Sequence, residues 1–95
     1  MKTISVTKHA VDRYVERTGT KEKRYDQLVR TIIEKWNGAK PVELKSRHRI
    51  THILRHGYVD KKVEYRLNGL IIFVVVDNSL VTVRPNDKRL WREIL

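Results

Sequence analysis

Seven apolar residues in unbroken succession, Leu70-Ile71-Ile72-Phe73-Val74-Val75-Val76, limit what this chain can become more than any other stretch. Six of the seven are β-branched or aromatic, and turn chemistry stands on either side, Asn68-Gly69 before and Asp77-Asn78-Ser79 after. A run that short, with that composition and those boundaries, predicts a strand buried on both faces and not a helix. Such a strand needs cover above and below, so the neighbouring segments have to supply two apolar surfaces.

They must do so within a small molecule. Ninety-five residues make one domain, and a domain of that size buries only roughly two-thirds of its unfolded surface. Every amphipathic segment therefore has to join one core. The chain has no cysteine, which excludes a disulfide framework and a thiolate metal site. It shows no signal-peptide pattern and no apolar span of about 18 residues, so the cytoplasm is the expected location and no membrane is expected among its partners.

The strands and helices follow from periodicity. Ile4 and Val6 alternate with Ser5 and Thr7 as a short strand or extended entry. Thr7 then suits an N-cap and Gly19 a stop, with Ala10, Val11, Tyr14 and Val15 as the apolar stripe of a helix over 8–18. Tyr25, Leu28, Val29, Ile32, Ile33 and Trp36 form the wide apolar face of a second helix, ended by Asn37-Gly38 and Pro41. Val42-Glu43-Leu44 fits a short strand, and Arg47 to His56 fits a third short helix, although Ile50-Thr51-His52-Ile53 also tolerates an extended form.

Beyond Gly57 the pattern turns to β. Lys62–Leu67 alternates as a half-buried strand, and Asn68-Gly69 is a strong hairpin signal joining it to the central run. Leu80 to Arg84 is a further strand, closed by Pro85. Asn86 or Asp87 then caps a short terminal helix carrying Leu90, Trp91, Ile94 and Leu95. The expected class is α+β: two N-terminal helices packed on an antiparallel sheet of three to four strands, with a short C-terminal helix.

Charge decides the partner class. Lys and Arg number 21 against 11 acids, a net +10, which favours polyanions. Nucleic acid leads, and an acidic protein such as an antitoxin or host target comes second. His9, Arg13 and Arg17 recur on one helix face, where arginine forks suit phosphate and an imidazole can exchange a proton. The bland alternative is a solvated face in which Asp12 and Glu16 pair with the arginines. His48, His52 and His56 recur at i, i+4, i+8, a spacing zinc sites use. No Cys or carboxylate lies in that segment, and Arg47, Arg49 and Arg55 would repel a cation. A stripe with Arg47, Arg49 and His52 against a nucleic-acid backbone, or a plain surface helix, fits better. On the sheet, Glu64 and Arg66 share one face, as do Thr82 and Arg84 with Leu80, so polar groups could converge beside the core strand.

No Gly-rich phosphate loop, carboxylate pair or magnesium cluster is visible, and no cofactor is expected. An enzyme on nucleic acid built from these side chains would use side-chain base, acid and cation, which suits RNA because its 2′-hydroxyl is a built-in nucleophile.

The segment Lys8-His9-Ala10 with Arg13 and Arg17, followed downstream by Tyr65-Arg66, Phe73-Val74-Val75 and Val81-Thr82-Val83, resembles small phage and bacterial proteins placed near the RelE/ParE toxin superfamily. The resemblance covers most of the chain and implies a compact RelE-like fold shared with metal-independent ribonucleases. Matched residue by residue, His9, Arg13 and Arg17 fall on its helix motif and Thr82 on its strand motif. It also implies a partly open cleft over the second face of the central strand. Two expectations follow. One is an RNA-binding protein and metal-independent ribonuclease, a toxin or phage effector, with His9 transferring the proton, Arg13, Arg17, Arg66 and Arg84 on phosphate, and Thr82 as a positioning hydroxyl. The other is a non-catalytic interaction protein that binds nucleic acid or an acidic host protein.

Overall fold

The computed structural model describes residues 4–45 and 61–93. Its elements are β1 (Ser5–Val6), α1 (Lys8–Thr18), α2 (Tyr25–Asn37), β2 (Lys40–Leu44), β3 (Val63–Asn68), β4 (Ile71–Val76), β5 (Ser79–Pro85) and β6 (Trp91–Glu93). The class is α+β as expected, but the sheet has six strands, ordered β1-β5-β4-β3-β2-β6. It is mixed: β1 lies parallel to β5, and every other neighbouring pair is antiparallel. The central run does become β4, fully buried along its length.

Both helices begin and end for legible reasons. The Thr7 hydroxyl accepts from the Ala10 N–H at 3.1 Å and donates to the Leu80 carbonyl at 3.0 Å, so one side chain caps α1 and ties it to β5. Gly19 closes α1 in the left-handed region at φ 65°, its N–H on the Val15 carbonyl. Arg24, at the N-cap of α2, offers no side-chain cap. Glu22 supplies acceptors instead, taking the N–H groups of Lys23 and Arg24.

Alternation along β4 divides the interior in two. Ile71, Phe73 and Val75 meet Ala10, Val11 and Tyr14 of α1 and Leu28, Ile32 and Trp36 of α2. Ile72, Val74 and Val76 face the other way, clustering with Val42, Leu44 and Tyr65, against which Leu90 and Trp91 pack. The second face is closed to solvent at its centre, Val74 being 0% exposed, so no open apolar cleft lies over β4 there.

Three expectations about local structure change. Leu70 is not part of the strand. Asn68 pairs with Ile71, so the two-residue turn is Gly69-Leu70, with Gly69 at φ 59° and Leu70 80% exposed. The β4–β5 connection is likewise a two-residue turn, with Asp77 and Asn78 both at positive φ and Ser79 already paired with Val76. The terminal helix is absent at 86–93. Pro85 blocks continuation, the Asp87 carboxylate and carbonyl take the N–H groups of Arg89 and Leu90, and Trp91–Glu93 pairs with the β2 edge. The free edge of β2 offers backbone partners that so short a helix could not match. Because β6 runs in the same direction as β5 from the far side of the sheet, residues 86–90 pass across the second face to reach it.

A bulge in β5 matters more for function. Val74 pairs with Thr82 and Val75 with Leu80, leaving Val81 without a partner. Leu80 and Val83 consequently both reach the helix side, whereas Thr82 and Arg84, paired with Val74 and Ile72, lie on the other side. The expected common face of Leu80, Thr82 and Arg84 is thus broken by one residue. The third helix expected over 47–56 lies outside the described residues, as do Arg47, His48, Arg49, His52, Arg55 and His56.

Candidate functional site

The sheet separates the residues singled out for catalysis. Directly opposed residues on neighbouring strands share a face, and Arg66 opposes Phe73 while Thr82 opposes Val74. Arg66 therefore projects on the helix side and Thr82 on the second face. His9 is exposed in the first turn of α1, which packs over β5. Arg66 is two strands from β5, about 10 Å at the usual strand spacing. His9, Arg66 and Thr82 are not brought together, and Arg84 joins Thr82 on the far side.

On α1 the geometry is that of a surface. Arg13 donates to the Glu16 carboxylate at 2.7 Å, and its Nε reaches the His9 imidazole only at 3.5 Å. Arg17 is exposed and has no ion-pair partner among the described residues.

Arg66 has a different occupation. Its guanidinium lies 4.0 Å from the centroid of the Trp36 ring and donates to the Trp36 carbonyl at 3.1 Å. The Asn68 amide donates to the neighbouring Lys35 carbonyl at 3.1 Å. Two alternate residues of β3 thus satisfy carbonyls at the C-terminus of α2, where the helix dipole favours a cation. Trp36 in turn packs edge-on to Phe73, their centroids 6.2 Å apart. Replacing Arg66 with alanine is expected to destabilise the fold by about 1–3 kcal/mol, the sum of a half-buried cation–ring contact and a charged hydrogen bond. Arg66→Lys should recover less than half, since an ammonium lacks the planar stack. Denaturant unfolding followed by circular dichroism checks both. An unchanged midpoint in Arg66→Ala would mean that these contacts do not hold α2 to the sheet.

Beside Arg66 the helical layer stops short of covering β3, and a cleft of about 350 Å³ opens. Lys62, Glu64 and Arg66 line it from alternate positions of β3 and its entry, with Asn37, Asn78, Ile4, Trp36 and Val75. Lys62 and Glu64 form an ion pair at 3.2 Å, the carboxylate side chain about one-third exposed. The common face of Glu64 and Arg66 was legible from alternation. The participation of Lys62, Asn37 and Asn78 was not, because it depends on where α2 ends above the sheet. Among the described residues no group of three or more His, Cys, Asp or Glu could hold a metal ion.

The pairing of charges differs between the two layers. On the sheet, Glu93, Asp77, Asp87 and Glu43 meet Lys40, Lys61, Arg89 and Arg92. The contact with Lys40 holds the Glu93 carboxyl below its ordinary range. On the helical side, Glu16 and Asp26 meet Arg13 and Arg24. That leaves exposed Lys8, Arg17, Lys21, Lys23, Arg30 and Lys35 with no ion pair among the described residues, Lys35 lying over the Tyr14 ring, against Asp12, Glu22 and Glu34. Among the described residues no helix is long and apolar enough to cross a membrane. No family model matches this chain, and no curated protein or solved structure matches it either.

Proposed function

We propose that this protein binds nucleic acid, RNA before DNA, as a non-catalytic interaction protein acting in the cytoplasm. The observation that carries this is the surplus of unmatched cations on the outer surface of the helical layer, Lys8, Arg17, Lys21, Lys23 and Arg30, in a chain of net charge +10. Exposed cations without ion pairs suit a phosphate backbone, which needs charge and reach more than a shaped pocket. The separation of His9, Arg66 and Thr82 favours binding over cleavage. Kinship with the RelE/ParE-like proteins belongs to the same proposal, supported by two helices lying on one face of an α+β sheet.

The test is salt dependence. Five phosphate contacts on single-stranded RNA predict that log K falls against log salt with a slope of about −3.5. The triple variant Arg17→Ala, Lys21→Ala, Arg30→Ala should shallow that slope by about 2 and weaken binding to all sequences alike. A slope that the triple variant leaves unchanged would remove the helical layer from the interface. Incubation of RNA with the protein, with and without EDTA, is expected to leave it intact. Cleavage that disappears in His9→Ala would instead restore the ribonuclease.

A further inference from the structure

We propose that the cleft beside Arg66 is a binding site for a ribonucleotide phosphate, either a free nucleoside monophosphate or the phosphorylated end of an RNA strand. The cleft stands out against the rest of the helix-side surface of the sheet. On β4 and β5 that surface is wholly apolar, formed by Ile71, Phe73, Val75, Leu80 and Val83. On β3 and its entry the corresponding positions are Lys62, Glu64 and Arg66, and all three line one cavity. Arg66 is accounted for by its contacts with Trp36, whereas the side chains of Lys62 and Glu64 pair with each other at 3.2 Å. Each would sit more cheaply as an aliphatic residue if α2 covered it.

The chemistry of the lining specifies the ligand. Arg66 is fixed against Trp36 by its stack and by one hydrogen bond, which occupies one of five guanidinium N–H groups and leaves the fork oriented. Lys62 is placed by its own backbone, whose N–H donates to the Asp77 carboxylate at 3.0 Å. These two cations suit a phosphate dianion, which would draw Lys62 out of its ion pair and free the Glu64 carboxylate. Glu64 is an acceptor for paired hydroxyls, the role a carboxylate plays on ribose in dinucleotide sites. Ile4 and Val75 give apolar wall, and the Asn37 and Asn78 amides offer donors and acceptors for a base edge. The cleft, at about 350 Å³, lies within the size range of small-molecule sites. Phosphate, hydroxyl pair and planar base together describe a ribonucleotide.

Binding is independent of the polyanion surface, because it uses different residues. It should be tested on the full chain by two-dimensional NMR, titrating adenosine 5′-monophosphate, its 2′-deoxy form and inorganic phosphate. The two indole N–H signals separate the faces: Trp36 borders the cleft, and Trp91 packs on the opposite side of the sheet. The expected result is a saturable shift of the Trp36 signal and of the β3 amides, with Trp91 unmoved. Lys62→Ala should weaken binding about tenfold, and Glu64→Gln should abolish the preference for the ribo form. Both positions are solvent-accessible, so the fold is retained in each. Lys21→Ala and Arg30→Ala should leave the mononucleotide affinity unchanged, which separates this site from the helical surface. Tighter binding of a 5′-phosphorylated oligoribonucleotide than of the mononucleotide assigns the site to RNA ends, and the reverse assigns it to free nucleotide. No shift at Trp36 with any probe, equal binding by inorganic phosphate alone, or shifts indifferent to Lys62→Ala would each overturn the proposal.

Discussion

Replacing Phe73 with alanine is expected to cost about 3–5 kcal/mol and to lower the thermal midpoint by about 15–30 °C. The side chain is 0% exposed at the centre of β4. It packs edge-on against Trp36, the ring that carries the Arg66 guanidinium. Truncation leaves a cavity beneath α2 and loosens the anchor that α2 makes with β3, so two effects add at one site. A chain of this length has about 5–14 kcal/mol of total stability, and the variant would be largely unfolded at physiological temperature if it starts near the low end. Leu70→Ala is the control. It belongs to the same apolar run yet is 80% exposed in the turn, and should shift stability by about 0.5 kcal/mol or less. Scanning calorimetry on the pair decides the matter. Equal effects would mean that the run is buried differently from the register described.

The second large effect concerns the other side of the sheet. Val74→Asp places a carboxylate among Ile72, Val76, Val42, Leu44 and Tyr65, where the native side chain is 0% exposed. The expected cost at pH 7 is roughly 4 kcal/mol or more, because an ionised group at that fully buried position is shut off from water. Burial would raise the folded-state pKa of the new acid above its unfolded value of about 3.9. The penalty should therefore shrink as pH falls toward that value and the neutral acid forms. Urea unfolding at pH 7 and near pH 4 measures both quantities. The partly open cleft implied by the RelE-like resemblance would tolerate the substitution with little change at either pH.

Helix boundaries, the meander and the buried strand were legible because each rests on local chemistry. Thr7 and Gly19 bracket α1, Asn37-Gly38 closes α2, and apolar and polar residues alternate over β3. The end of the chain was not legible. Leu90 and Trp91 suit an amphipathic helix as well as a strand, and only the free edge of β2 decides for pairing. The proposed catalytic set failed to converge for a related reason. Which face a strand residue serves is a matter of counting from the paired turn. His9, Arg66 and Thr82 stand on three elements whose relative faces are fixed by tertiary contacts. The cleft was half visible: Glu64 and Arg66 could be placed together from alternation, but the gap above them depends on the length of α2.

The unpaired Val81 acts as a phase shifter. Upstream of it, odd and even positions of β5 address one pair of surfaces, and downstream they address the opposite pair. Drawing Val81 into the ladder opposite Val74 would restore uninterrupted alternation from Leu80 onward and turn Thr82 and Arg84 as a block to the opposite face. A hydroxyl and a guanidinium would then stand on the same side as Arg66. A one-residue slip in pairing thus separates the arrangement seen here from one in which polar groups of β3 and β5 share a surface. Register at this one position decides whether β5 lends the helix side apolar side chains alone or polar ones as well.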